Sequence, residues 1–182
     1  MFSHYALVGM PGCGKSTVGR QLAKRLSLPF VDSDVVIEER IGGSIRSLFE
    51  TKGEAAFRDL EEQVIDDLTL QGASVIATGG GAVLRQANRE HLKSRCMVIY
   101  LRASPEQLVR RLRNDTKRPL LQVSDPLRRL QALYTERDPF YRETAHFVVE
   151  ARGPSVAMLV NRIVMQIEMA EQRDTTQQAD PS

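Results

Sequence analysis

The sequence predicts an α/β fold in three layers, a five-stranded parallel sheet with helices on both faces and a short lid. Two observations carry this. Five short apolar runs alternate with stretches of helical spacing along nearly the whole chain, and that alternation is the signature of strand–helix–strand units. The first run also breaks directly into a glycine-rich segment, "GMPGCGKST", from which helical spacing resumes. With 182 residues, 42% hydrophobic and 26% charged, the chain is long enough for one substantial core.

The elements follow in order. The apolar runs Tyr5–Val8, Pro29–Val31, Ser74–Ala77, Met97–Leu101 and Phe147–Val149 are the predicted strands. Helical spacing marks Lys15–Leu26, Val35–Ile41, Ile45–Thr51, Glu54–Leu70, Pro105–Arg113 and Pro126–Glu143, and a last helix from Val156 to Ala170. Ser104-Pro105-Glu106-Gln107 joins a hydroxyl cap, a proline at the first helical position and a glutamine at the third. Asp125-Pro126 repeats the cap and proline. Between these two helices, residues 114–125 form a long polar loop, the expected lid. Residues 1–170 thus read as one domain. The polar, aperiodic end at 171–182 reads as a disordered tail.

Bulk properties narrow the function classes. A net charge of +2 gives no general reason to expect nucleic acid. Six Arg/Lys against two acids between Arg102 and Arg118 would instead suit a clamped small polyanion. Cys13 and Cys96 lack metal-ligand spacing and read as free thiols in a reducing compartment. With no long apolar run and no basic-then-apolar start, the expectation is a cytoplasmic protein without a membrane partner.

Gly9-x-x-x-x-Gly14-Lys15-Ser16 satisfies the full G-x-x-x-x-G-K-[ST] pattern in a strand–loop–helix context. Glycines let successive amides converge on one anion, and the helix beginning near Lys15 adds its positive end. Lys15 offers a mobile charge to the β- and γ-phosphates, and the Ser16 hydroxyl is the expected Mg²⁺ ligand. This is a nucleoside-triphosphate site.

The acceptor is sought at the other strand ends. "FVDSD" ends the second strand, and Asp32 and Asp34 could divide metal binding from orientation of a nucleophile. Alternatively Ser33 or Asp34 caps the next helix. Gly79, Gly80 and Gly81 after the third strand could expose amides to a ligand or serve as a hinge. No aspartate for a metal follows that strand, so Asp32 is the nearest candidate. Arg58 and Glu62 have the spacing of a surface ion pair, and Arg137, a lone arginine on a helix, reads as a surface residue before a ligand.

In this order, "GMPGCGKST", "FVDSD", "FRDLE", "TGGGA", "KRPLL" and "RDPFYRETA" resemble shikimate kinase, a P-loop NTPase of the nucleoside-monophosphate-kinase-like kind, over residues 5–165. The resemblance implies transfer of the ATP γ-phosphate to the 3-hydroxyl of shikimate, a step toward chorismate and the aromatic amino acids. It implies that Asp34 orients or deprotonates the acceptor and that Asp32 helps Ser16 hold Mg²⁺. Arg58 and Arg137 would grip the shikimate carboxylate, with Gly79, Gly80 and Gly81 at the ring. Gly12, Cys13, Gly14, Lys15, Ser16 and Thr17 would cradle ATP. Arg118 would reach its phosphates from the lid, and Arg111 and Arg152 would lie on the adenine side. The family also suggests a monomer. Cys13 stands where small residues are common in the family, and its thiol is expected to be reactive beside Lys15.

Rival readings are a gluconate kinase or nucleotide kinase of the same fold, and a non-catalytic nucleotide-binding module. The last would need neither Asp34 nor the two arginines.

Overall fold

The computed structural model describes residues 2–113, 123–153 and 155–178. Chain order is β1 (His4–Val8), α1 (Lys15–Leu26), β2 (Phe30–Asp32), α2 (Ser33–Ile41), α3 (Ile45–Leu70) and β3 (Ser74–Ala77). A 3₁₀ turn at Ala82–Leu84 follows, then α4 (Gln86–Arg95), β4 (Cys96–Arg102), α5 (Pro105–Leu112), α6 (Pro126–Thr144), β5 (Phe147–Glu150) and α7 (Val156–Gln178). The strands form one sheet in the order β2-β3-β1-β4-β5. Every adjacent pair is parallel, with Leu7 opposite Ala77 on one side and Ile99 on the other. The predicted parallel α/β architecture is borne out.

Parallel strands must be joined by crossovers, which bring helices over the sheet and bury it on both faces. Ala6, Leu7, Val8, Val98, Ile99, Tyr100 and Leu101 are accordingly fully buried. A second, smaller core of Ile37, Phe57, Val64, Leu68 and Ile76 joins α2 and α3 to β3. It holds the α2–α3 side of the future site in place. Parallel strands also deliver the β1, β2 and β3 C-terminal loops to one rim, where ligands collect in open α/β sheets.

Three elements differ from the sequence expectation. The Gln86–Arg95 helix was not predicted, because Leu92 is its one large buried apolar residue and periodicity has almost nothing to register. The two expected helices before β3 form one run, Ile45–Leu70, bent at Gly53, whose φ of 84° is left-handed. Finally, α7 continues to Gln178, so residues 171–178 are helical instead of forming a disordered tail. Glu, Gln and Arg are good helix formers, no Gly or Pro lies in 171–178, and Tyr5 Oη donates to Glu171 at 3.2 Å.

Cap chemistry is as expected at α5: Ser104 Oγ accepts from Gln107 N, and the Gln107 side chain accepts from Ser104 N. Asp125 caps α6 through Arg128 N. Of the expected lid, residues 114–122 lie outside the described residues, and Arg118 with them.

Candidate active site

A cavity of about 1130 Å³ opens at the C-terminal rim of the sheet. Its wall gathers Gly12, Gly14, Lys15, Ser16, Thr17, Asp32, Asp34, Arg58, Gly79, Gly80, Gly81, Arg111 and Arg137, all expected from sequence. Residues from β1 through α6 therefore converge on one space.

At one end lies the loop between β1 and α1. Gly9 has φ 154°, and a Cβ there would stand 2.5 Å from the Leu101 carbonyl of the neighbouring strand, so only glycine fits. Lys15 is buried, and its Nζ donates to Gly9 O at 2.7 Å and Met10 O at 2.9 Å, closing the loop on itself. Arg111 braces it from α5, donating to Cys13 O at 2.9 Å and, through its other nitrogen, to Ala151 O at 2.7 Å. One guanidinium fork thus ties the loop to the chain after β5.

Beside the loop, Ser16 Oγ donates to Asp32 Oδ2 at 2.6 Å, and Asp32 Oδ1 accepts from Asp34 N at 2.9 Å. Asp32 is therefore the cap of α2, not Ser33 or Asp34 as the sequence had allowed. Ser33, which the sequence reading left without a ligand-side role, is fully buried and accepts from Gly79 N at 3.2 Å, pinning the triple-glycine loop to α2. Asp34 lies in the first turn of α2, where the helix's positive end favours an anion. Its Oδ1 packs over Gly79, 2.8 Å from where a Cβ would be.

At the other end, α3 supplies Arg58. Its partners are Glu61, 2.8 Å from Nη1, and Glu54, 3.3 Å from Nη2. The expected Arg58–Glu62 pair does not form, since Glu62 faces Arg85, 2.8 Å away. Glu61 is fully buried, and burial pushes its carboxyl above the ordinary 4.5. Arg58 pulls in the opposite direction, and the like charge of Asp34 adds to the rise. Sequence reasoning missed Glu61. The available signal was its place in the row Phe57, Glu61, Val64, Leu68 on the buried face of α3.

The Arg58 guanidinium lies directly on Gly81, where a Cβ would stand 2.5 Å from Nη1. Arg137 comes from α6 and is buried, at 5% exposed, with the cavity in front of it. Its expected alternative as a surface residue is excluded.

Two expected residues lie elsewhere. The Cys13 side chain is 1% exposed and packs in the core behind the loop, so its thiol does not face the cavity. Access for thiol reagents is correspondingly closed, against the expectation of reactivity. Arg152 is exposed and outside the cavity wall, with its carbonyl accepting from Arg162.

Comparison with known proteins agrees with this geometry. The family model described as "Shikimate kinase" matches residues 11–168. A shikimate kinase of Paracidovorax citrulli is 60% identical over 167 residues, covering 90% of this chain and 91% of its own. One from Ralstonia nicotianae is 54% identical, covering 92% and 88%. Among solved structures, shikimate kinase from Acinetobacter baumannii in complex with shikimate matches with a TM-score of 0.90 and 42% identity. It covers 93% of this chain and 95% of its own.

Proposed function

The chain belongs to the shikimate kinase family, an ATP-dependent kinase acting on shikimate, and we propose how its own residues divide that reaction. The observation that carries the division is the cavity itself. A phosphate loop stands at one end, and two arginines with a carboxylate stand at the other.

Lys15 and the loop amides take the β- and γ-phosphates. During transfer Lys15 stabilises charge on the moving phosphoryl group, a task of positioning and electrostatics more than of covalent chemistry. Arg58 and Arg137 grip the acid's carboxylate, for which the planar guanidinium fork is suited. Asp34 orients the 3-hydroxyl and accepts its proton late in the transfer. Gly79–Gly81 lie under the ring. Arg111 serves the nucleotide side through its brace on the loop. Arg118 is assigned to the ATP phosphates by its "KRPLL" motif, and Arg152 to the adenine side by resemblance alone.

The residues also fit Mg²⁺. A hydroxyl and a carboxylate, Ser16 and Asp32, face each other at 2.6 Å beside the phosphate loop. Magnesium takes hard oxygens and keeps several waters and phosphate oxygens, so two protein groups suffice. When bound, it neutralises phosphate charge. No helix among the described residues is long and apolar enough to cross a membrane. We place the enzyme in the cytoplasm, as a monomer.

The test is ADP release with ATP and magnesium, with shikimate, gluconate or AMP as acceptor. Stimulation by shikimate alone is expected. Equal stimulation by gluconate, or none by shikimate, would overturn the acceptor assignment.

A further inference from the structure

One buried hydroxyl behind the acceptor end has no part in the reaction as assigned above. Tyr141 lies one helical turn after Arg137 on α6, and its ring is fully buried. Its Oη donates to the carbonyl of Gly80 at 2.5 Å. Burial holds the phenol well above its ordinary 10, so it stays protonated and remains a donor at any working pH. The Arg137 guanidinium interacts with the same oxygen. Tyr100 packs against the ring in a tilted pair, with centroids 5.0 Å apart, and sends its own hydroxyl elsewhere, to Asp138 Oδ1 at 2.7 Å.

Gly80 is also closely packed against the phosphate loop. A Cβ on it would meet Pro11 of the phosphate loop at 2.7 Å. The next residue, Gly81, lies under the Arg58 guanidinium. In a planar trans peptide the N–H points opposite to the preceding C=O, so fixing the Gly80 carbonyl also fixes the direction of the Gly81 N–H. Consecutive glycines resist rotation of that plane less than any other pair. The turn's own bonds, Ala82 N to Gly79 O and Leu84 N to Gly81 O, both 3.1 Å, hold the flanking peptides, and the Tyr141 hydroxyl holds this one.

We propose that Tyr141 is a positioning residue for the acceptor: its hydroxyl locks the Gly80–Gly81 peptide, and so sets the floor shared by Arg58, Arg137 and the substrate ring. This rests on the assignment of that end of the cavity to shikimate. It links the two arginines, which lie on separate helices and share no direct contact in that assignment, through one backbone plane.

The experiment is steady-state kinetics of Tyr141→Phe, varying shikimate and ATP separately, with Tyr100→Phe as control. Both variants remove one buried hydroxyl from the same ring pair, but only the first frees Gly80. Tyr141→Phe is expected to raise the KM for shikimate about tenfold, because a buried carbonyl loses its donor. The KM for ATP and kcat should stay within about twofold, a split that general loosening of the fold would not produce. Tyr100→Phe should leave both KM values within about twofold and lower only the thermal midpoint. An unchanged shikimate KM in Tyr141→Phe, or an equal rise in Tyr100→Phe, would overturn the proposal. If the wild-type chain showed no shikimate-dependent turnover, the acceptor assignment itself would fall first. Wild-type turnover with a wild-type-like Tyr141→Phe would sink only the role of Tyr141.

Discussion

The two ends of the cavity are built in different ways. The phosphate end comes from one continuous stretch, Gly9 to Thr17, whose amides, lysine and hydroxyl need only a strand before them and a helix after them. The acceptor end is drawn from α2, α3, the loop after β3 and α6, and its half-buried Asp34 and Arg58 and buried Arg137 come together only in the folded chain. A local device tolerates change around it. An assembled one has contacts behind its wall as well, such as Ser33 on Gly79 and Tyr141 on Gly80.

That contrast can be broken from either side. The largest effects should come where charge moves during transfer. Lys15→Ala should lower kcat by on the order of 10²–10³-fold, as for loss of a transition-state donor. Asp34→Asn should lower it by about 10²–10⁴-fold. Coupled ADP assays would measure both, and titration with ATP should show nucleotide binding kept in Asp34→Asn. Loss of ATP affinity in that variant would mean the ends are not separable.

Next comes Gly81→Ala, which sets a methyl against the Arg58 guanidinium. Its shikimate KM should rise about tenfold while the ATP KM holds, a discrimination of roughly 1.4 kcal/mol. Equal changes in both would show that the loop serves the phosphate end too.

Smaller effects concern pH. Glu61 has a raised native pKa, so it holds its proton more tightly folded than unfolded. Its contribution to stability is fully present below 4.5 and is lost as the pH rises through the raised native value. Each unit of displacement is worth about 1.4 kcal/mol. Glu61→Gln should remove this loss, so denaturant unfolding across the range would show the variant gaining on the wild type as pH increases. A constant difference would refute the assignment.

The smallest lies far from the cavity. His146 Nδ1 accepts from Val98 N at 2.9 Å, and burial, with Lys93 nearby, lowers its pKa from 6.5. The folded state thus prefers neutral imidazole, and stability falls as pH drops below 6.5. Denaturant unfolding should show this loss in the wild type and not in His146→Gln. Shikimate KM should not follow it.

The same contrast explains what the sequence disclosed. The strand order of events, the phosphate loop and the α5 capping box are written in neighbouring residues, and periodicity or spacing reveals them. Helix α4 escaped because "QANREHLKSR" offers Leu92 alone to the core, and the crossover it provides is a property of the whole sheet. Glu61 and Glu62 are adjacent and alike in sequence, yet one is fully buried on Arg58 while the other pairs with Arg85 near the surface. About 100° of helix rotation separates them. The dual use of Asp32, as cap and as partner of Ser16, needed the loop and α2 in place together.

Arg137 tests the central claim most directly, because it is buried, lines the acceptor end and comes from α6, far in sequence from the phosphate loop. Calorimetric titration of shikimate and, separately, of ATP into wild type and Arg137→Ala would decide it. The account predicts shikimate affinity at least about tenfold weaker, with ATP affinity within about twofold. Unchanged shikimate affinity in a folded Arg137→Ala would contradict it.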